Sequence, residues 1–197
     1  TGIADRIIED LPYFIEKGHT MPSQLPAEII EEACRVTTLG IKALGINHGF
    51  AKGDIKVTPD GVKIGELAAR LSGGFMSAYT FPLSSGVDLM KVAVEIALGQ
   101  EPGNLEPVFH KVSIERAIIT KPGYVTRING LDEAKQIEGI AEIFLNVKPG
   151  DKVVKPKSNV EKAGHIIAVA DTLEEAEVVV ARCREVKKSK LPKIQKL

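Results

Sequence analysis

The sequence lacks tryptophan, a net charge and any long apolar run, and it contains only two cysteines. Its 26 basic and 26 acidic residues balance, so the composition gives no reason to expect a nucleic-acid partner. No apolar stretch approaches the about 20 residues that cross a membrane. A secretory signal is also absent. These absences predict a protein of the cytoplasm that binds neither nucleic acid nor membrane.

The spacing of the cysteines and histidines in the sequence is unlike that of metal ligands. Cys34 and Cys183 lie far apart in the chain, which predicts reduced core residues, and the pattern gives no support for a disulfide between them. Three histidines show no paired metal spacing and are expected to be structural: His48, His110 and His165. A glycine loop of the Walker or dinucleotide-binding type is missing too, because the spacing of Gly73-Gly74 fits neither motif.

Proline and glycine cluster at 100–107 and divide the chain into a first part, 1–103, and a smaller second part, 104–197. The patterns predict an α+β fold in which helices accompany an antiparallel sheet. The first part has an extended opening, a helix over 26–44, a hairpin, a loop and a helix over 87–98. The second part has paired strands at 112–119 and 124–128, a helix over 131–137, strands at 143–147 and 165–170, and a helix capped by Asp171. The lysine-rich tail from 187 onward is expected to fray in solvent.

The helix over 26–44 carries an apolar stripe that is predicted to be core: Ile29, Ile30, Ala33, Val36, Thr37, Ile41 and Leu44.

Two acidic residues face each other across the predicted hairpin. The turn 58–61 contains Pro59-Asp60-Gly61, a strong hairpin signal. If the turn centres on Asp60, Asp54 lies directly opposite Glu66. Like charges so placed repel, so the pairing makes sense chiefly if a cation or cationic ligand lies between them. Mg²⁺ is the candidate, because it is held by one or two carboxylates and completes its shell with phosphate and water oxygens.

Strand alternation puts Arg70 on the face that carries Glu66. A guanidinium there suits phosphate or carboxylate oxygens, and the glycines of Ser72-Gly73-Gly74 would let backbone N–H groups approach an anion. Spacing alone slightly favours a plainer interpretation, in which the acidic pair is solvated and the glycine run is only a flexible turn.

The segment 51–74, with Asp54, Glu66 and the run Arg70-Leu71-Ser72-Gly73-Gly74, resembles the end of the ATP-binding core of ATP-grasp ligases. The sequel Ser85-Gly86-Val87-Asp88-Leu89 is similar to the same enzymes. Weaker similarity covers 13–26 upstream and 164–176 downstream, and so nearly the whole chain. The superfamily includes biotin carboxylase, the large subunit of carbamoyl phosphate synthase, phosphoribosylglycinamide synthetase and amino-acid ligases.

The resemblance implies specific roles. Asp54 and Glu66 would bind Mg²⁺, or Mn²⁺, together with ATP, and Arg70 would be catalytic at the reacting phosphate or acyl phosphate. Ser72, Gly73 and Gly74 would bind substrate. For His19, a substrate contact at the rim of the site and a loop histidine bonded to backbone remain equal alternatives.

Two positions depart from the family pattern. Asp54 stands where many members have glutamate, which keeps the charge and shortens the reach. Ala68 stands where many have a metal-binding asparagine, and its side chain cannot coordinate a metal.

The implied function is an ATP-dependent carboxylate–amine ligase that acts through an acyl phosphate on small-molecule substrates. The family's N-terminal domain and lysine- and glycine-rich nucleotide cradle are not recognised here, so the sequence predicts a C-terminal portion that is inactive without an N-terminal remainder in the same or another chain. The alternative is a non-catalytic module for dimerisation or for completing a partner's active site. Homo-oligomerisation is left open.

Overall fold

The computed structural model describes residues 2–9 and 11–190. Its main layer is an antiparallel sheet of five strands, in the order β1 (Asp5–Glu9), β2 (Ile15–Met21), β5 (Val112–Ile118), β9 (Gly164–Ala170) and β7 (Ile140–Leu145). Strands from both sides of the proline- and glycine-rich segment therefore share one sheet. The position of the boundary between the two parts stays a prediction.

One face of this sheet is covered by the long C-terminal helix α5 (Leu173–Lys190) and by α4 (Leu131–Lys135). The core between them is a cluster of small and branched apolar residues: Ile114, Ala134, Ile143, Ile166, Ala168, Ala176, Val180 and Cys183. Burial of this apolar surface is the main stabilisation of the layer. The opposite face of the sheet carries the polar side chains described below.

A second layer consists of the hairpin β3 (Lys52–Thr58) and β4 (Gly61–Ala68), with helix α1 (Ala27–Ala43) packed on it. Gly40 of α1 lies so close to the hairpin that a methyl group there would come within 2.5 Å of Leu67 Cδ1. Pro26 precedes the helix, and Gly45 follows it with φ +68°.

The apolar stripe of α1 is less buried than predicted. Ala33 is buried, whereas Leu44 is 61% exposed and the other five residues are half-buried. The prediction that the whole stripe is core is therefore wrong, because the described chain covers α1 with only two strands.

Between the hairpin and the linker, a π-helical turn (Met76–Thr80) leads into α2 (Phe81–Ser85) and then α3 (Leu89–Ala97). Asp88 caps α3 by accepting hydrogen bonds from Met90 N and Lys91 N. The predicted helix over 87–98 is thus confirmed with a slightly later start, whereas the segment before it was predicted only as a loop.

Two expectations for the second part are wrong. Strand β5 pairs with β2 and β9 rather than with 124–128, where only β6 (Gly123–Tyr124) forms, and β6 pairs with β8 (Lys152–Val153). The residue that caps α5 is Thr172 rather than Asp171, because Thr172 Oγ1 accepts from Glu175 N. Asp171 instead pairs with Lys111.

The remaining predicted elements of the second part are confirmed with shifted bounds, as α4, β7 and β9. The predicted tail lies from 191 onward outside the described residues, and 187–190 close α5. Cys34 is half-buried in α1 and Cys183 is buried in α5. No helix in the described part of the chain is long and apolar enough to cross a bilayer.

Candidate active site

The hairpin pairs Asp54 with Glu66, as the sequence predicts, although by a different route. The tight turn pairs Thr58 with Gly61, which displaces the ladder by one residue from a turn centred on Asp60. A β-bulge at Gly65 then restores the predicted pairing, because one extra residue of β4 is inserted between Ile64 and Glu66.

The cation between the two carboxylates is the ammonium group of Lys52. Lys52 Nζ lies 3.0 Å from Asp54 Oδ2 and 2.7 Å from Glu66 Oε1. Arg6 approaches from strand β1 and donates to Asp54 Oδ1 at 3.1 Å. Opposite charges thus offset the repulsion between the two carboxylates, a role that the sequence assigned to a metal ion.

The local charges shift two pKa values. Burial alone would raise the pKa of Asp54, but the hydrogen bond from Lys52 and the charge of Arg6 hold it below its usual range. Burial would lower the pKa of Lys52, whereas its bonds to Glu66 and Asp54 raise it. Each ion therefore keeps the other charged.

One cavity of about 290 Å³ joins the hairpin to the sheet. All seven site residues predicted from the sequence line it: His19, Asp54, Glu66, Arg70, Ser72, Gly73 and Gly74. Four further residues complete the wall: Arg6, Glu16, Lys52 and Met76. Residues that are up to 70 positions apart in the sequence are thus brought to one site.

Arg70 reaches the cavity from beyond the end of β4. The strand ends at Ala68, so the prediction that Arg70 continues it is wrong. Arg70 N instead bonds Ala68 O at 2.9 Å, and its guanidinium donates to Leu71 O at 2.9 Å. The guanidinium is exposed and lines the cavity beside Glu66.

His19 is not a loop histidine bonded to backbone, so that alternative is wrong, whereas its contact with substrate stays a prediction. It is in the middle of β2, is 2% exposed, and its Nδ1 lies 3.0 Å from Glu115 Oε2. The other carboxylate oxygen of Glu115 lies 2.5 Å from Nδ1 of His165. The structure thus places a buried carboxylate between two histidines.

The sequence analysis missed Glu115, and a signal for it was present. Glu115 is the one acidic residue in the apolar strand β5, and a charge in the interior of a buried strand needs a partner. Arg6 and Lys52 had no comparable signal, because basic residues are common on exposed strands.

The loop after Arg70 is fixed over this buried cluster. Phe75 stacks on Phe144 with ring centroids 4.7 Å apart and lies 4.9 Å from the His165 ring. Gly74, with φ +62°, passes so close to His19 that an added Cβ would lie 3.2 Å from His19 Cε1. Phe75 itself has φ +68°, a conformation that is costly for a side-chain-bearing residue. Aromatic packing therefore holds the glycine run at the cavity wall.

We expect Gly74→Ala to destabilise the chain by about 1–2 kcal/mol, the cost of the left-handed conformation for a residue with Cβ, with further loss from crowding His19. Gly73→Ala is the matched control, because Gly73 has no positive φ and open space around it. Thermal unfolding of the two variants measures the difference. Equal melting temperatures would contradict the strain assigned to Gly74.

The acidic pair fits a divalent cation that brings its own ligands. Within residues 2–9 and 11–190, no group of three or more His, Cys, Asp or Glu side chains is placed to hold a metal ion. Mg²⁺ needs only one or two protein carboxylates when phosphate and water oxygens fill its other positions. Asp54 and Glu66 supply two, already arranged around a positive charge.

The family model for L-amino acid ligase C-terminal domain 2 matches residues 116–185. Carnosine synthase 1 from Gallus gallus is 34% identical over 92 residues, 47% of this chain and 10% of that protein.

Two solved structures share the fold. Phosphoribosylglycinamide synthetase from Anaerococcus prevotii has a TM-score of 0.83 at 20% identity, over 92% of this chain and 47% of its own. L-amino acid ligase from Bacillus licheniformis has a TM-score of 0.74 at 26% identity, over 90% of this chain and 44% of its own. Other structures with this fold were solved with ADP or ATP.

These similarities confirm the resemblance to ATP-grasp ligases and the α+β fold, both of which were predicted from the sequence. The part that it matches is the C-terminal part of such enzymes. The chain spans less than half the length of each of the three proteins.

Proposed function

We propose that this chain supplies part of the active site of an ATP-dependent carboxylate–amine ligase that works through an acyl phosphate. The observation that carries the proposal is the convergence of His19, the acidic pair, Arg70 and the glycine run on one cavity. A phosphate-binding cleft needs cations, carboxylates that can hold a metal and close backbone N–H groups, and basic side chains, two carboxylates and a glycine run line this cavity.

Asp54 and Glu66 would hold Mg²⁺, or Mn²⁺, on the phosphates of ATP, where the metal neutralises phosphate charge. Arg70 binds the transferred phosphoryl group and the acyl phosphate, because its exposed guanidinium can turn from Leu71 O toward an anion. The backbone N–H groups of 72–74 bind the substrate carboxylate. Positioning and electrostatics supply most of the rate, with no protein nucleophile.

Lys52 neutralises the acidic pair in the metal-free site. Its ammonium group occupies the position between the carboxylates that a metal would take, and its side chain is 11% exposed. If Asp54 and Glu66 held a divalent cation, Lys52 would have to leave at least one carboxylate, since the ion, Lys52 and Arg6 would otherwise repel one another. The released ammonium group would then be available to bind phosphate oxygens.

We expect Lys52→Met to lower the stability of the metal-free chain by about 1 kcal/mol, because Asp54 and Glu66 then face each other with less compensation. Mg²⁺ should raise the melting temperature of this variant more than that of the wild type, since the ion replaces the missing charge. Lys56→Met, an exposed lysine on the same strand, is the matched control. An equal response to Mg²⁺ in all three proteins would exclude the exchange.

Calorimetric titration of Mg²⁺-ATP tests the proposal directly, first with this chain and then with this chain combined with the N-terminal remainder of the ligase. We expect binding only in the combination, because the nucleotide cradle of ATP-grasp enzymes was not recognised in this sequence. Absence of binding in both would favour the alternative, a non-catalytic module, for which Ala68 at a metal-binding position of the family is the supporting feature.

A further inference from the structure

The buried cluster of Glu115, His19 and His165 has one polar atom without a partner. Glu115 is 2% exposed, and each of its carboxylate oxygens is bonded to one histidine Nδ1. Among the described residues, His19 Nε2 is the buried side-chain nitrogen or oxygen with no hydrogen-bond partner. Buried polar atoms are nearly always satisfied, so an orphan atom in a residue that lines the cavity indicates a missing ligand.

The protonation of the cluster follows from the carboxylate. Burial would raise the pKa of Glu115, but the hydrogen bonds from His165 and His19 outweigh it and hold the pKa below its usual range. An ionised carboxylate can only accept, so both Nδ1 atoms must carry a hydrogen and donate. In the neutral ring of His19, Nε2 is then left with a bare lone pair.

The backbone holds this geometry. His19 and Glu115 are direct partners in the β2–β5 ladder. From the other face of the sheet, Arg116 Nη1 donates to the carbonyl oxygens of both residues, at 2.6 and 2.9 Å. The backbone of His19 is therefore fastened to the strand of Glu115, and turning the His19 ring would break its bond to Glu115 Oε2.

We propose that Glu115 is a positioning residue that fixes His19 as the base for the amine substrate, an inference that rests on the proposed ligase function. The ammonium form of the substrate gives one proton to His19 Nε2. The freed nitrogen lone pair attacks the acyl phosphate carbon, a C–N bond forms, and the C–O bond to phosphate breaks. Inorganic phosphate leaves with that electron pair and takes up the second proton of the attacking nitrogen, which leaves a neutral amide, and the imidazolium later loses its proton to solvent.

The surroundings of His19 favour this role. Glu115 stabilises the imidazolium that forms. Arg6, the ladder partner of His19 on β1, already forms ion pairs with Glu16 and Asp54. Arg70 and Lys52 also line the cavity, and Lys52 is paired with Glu66. His165 bonds the far oxygen of Glu115 and lies against Phe75, outside the cavity wall.

The test uses the complete ligase and separates the two chemical steps. Hydroxylamine traps the acyl phosphate as a hydroxamate and is largely unprotonated at neutral pH, so it needs no base to release its lone pair. In Glu115→Gln and His19→Gln, we expect amide formation to fall by about 100-fold or more, while hydroxamate formation stays within a few-fold of wild type. His48→Gln, an exposed histidine outside the cavity, is the control.

The tautomer of His19 is the second measurement. The ¹⁵N spectra of histidine-labelled protein should show His19 as the Nδ1–H tautomer, and the His19 signal is assigned by its disappearance in His19→Gln.

Two results overturn the inference: a wild-type His19 with its hydrogen on Nε2, or equal loss of amide and hydroxamate formation. If Glu115→Gln does not fold, His19→Gln decides alone, because Glu115 then keeps His165 as a partner. Absence of hydroxamate from the wild type would instead refute the acyl phosphate, and so the proposed function itself.

Discussion

Glu66→Gln is expected to abolish ATP turnover by the complete ligase while leaving the fold of this chain intact. Glutamine keeps the shape of the side chain but removes the negative charge that would hold Mg²⁺ on the phosphates. We expect a loss of at least about 100-fold, the scale of losing one preorganised electrostatic contact to the reacting group. Steady-state release of phosphate measures it.

The fold should survive because Glu66 is largely exposed. Its side chain is 56% accessible, and Lys52 keeps Asp54 as a partner after the change. Asp60→Asn is the matched control, since it removes the same charge from the tip of the same hairpin and asparagine suits a turn. Turnover at the wild-type level in Glu66→Gln would rule out a catalytic role for the acidic pair and leave the non-catalytic module.

The hairpin shows how far the sequence can predict a site. The Pro59-Asp60-Gly61 signal fixes the turn, and strand alternation does the rest, so Asp54 opposite Glu66 is predictable. The bulge at Gly65 is not predictable, because either strand of a hairpin can absorb an extra residue. The turn displaces the pairing by one residue and the bulge displaces it back by one, so the predicted pairing of Asp54 with Glu66 is correct.

Long-range pairing was the weaker part of the prediction. A strand at 112–118 is clear from its composition, but its neighbours are β2 and β9, which lie far away in the chain. Local turn signals favour the next strand in sequence, and here they indicated a pairing that does not form. The cluster of His19, Glu115 and His165 was missed for the same reason, since it exists only once three distant strands share a sheet.

The loop over the cavity was also outside the reach of pattern analysis. Residues 71–80 look like a flexible glycine-rich turn, yet Phe75 packs on Phe144 and His165 and orders the segment. Aromatic contacts between segments about 70 residues apart leave no periodic trace in either segment. What the sequence did predict, through resemblance, was the set of residues that this packing brings together.

Arg116→Met is expected to destabilise the chain by about 3 kcal/mol, because about 1 kcal/mol or more is lost for each buried acceptor left without a donor. Arg116 is 5% exposed, and its guanidinium donates to His19 O, Glu115 O and Thr20 Oγ1. Methionine fills the same space without donors. Thermal unfolding should show a fall of about 10 °C in melting temperature.

A substitution at Glu177 distinguishes the contribution of the hydrogen bonds of Arg116 to stability from that of its ion pair. Glu177 Oε1 lies 2.6 Å from Arg116 Nη2, but the Glu177 side chain is 46% exposed. Glu177→Gln should therefore cost less than about 1 kcal/mol, as exposed pairs do. If both variants lose the same stability, the ion pair is the main contribution and the buried acceptors count for little. A large loss in Arg116→Met alone means that this guanidinium fastens the strand of His19 to the strand of Glu115, so that a residue outside the cavity sets the geometry inside it.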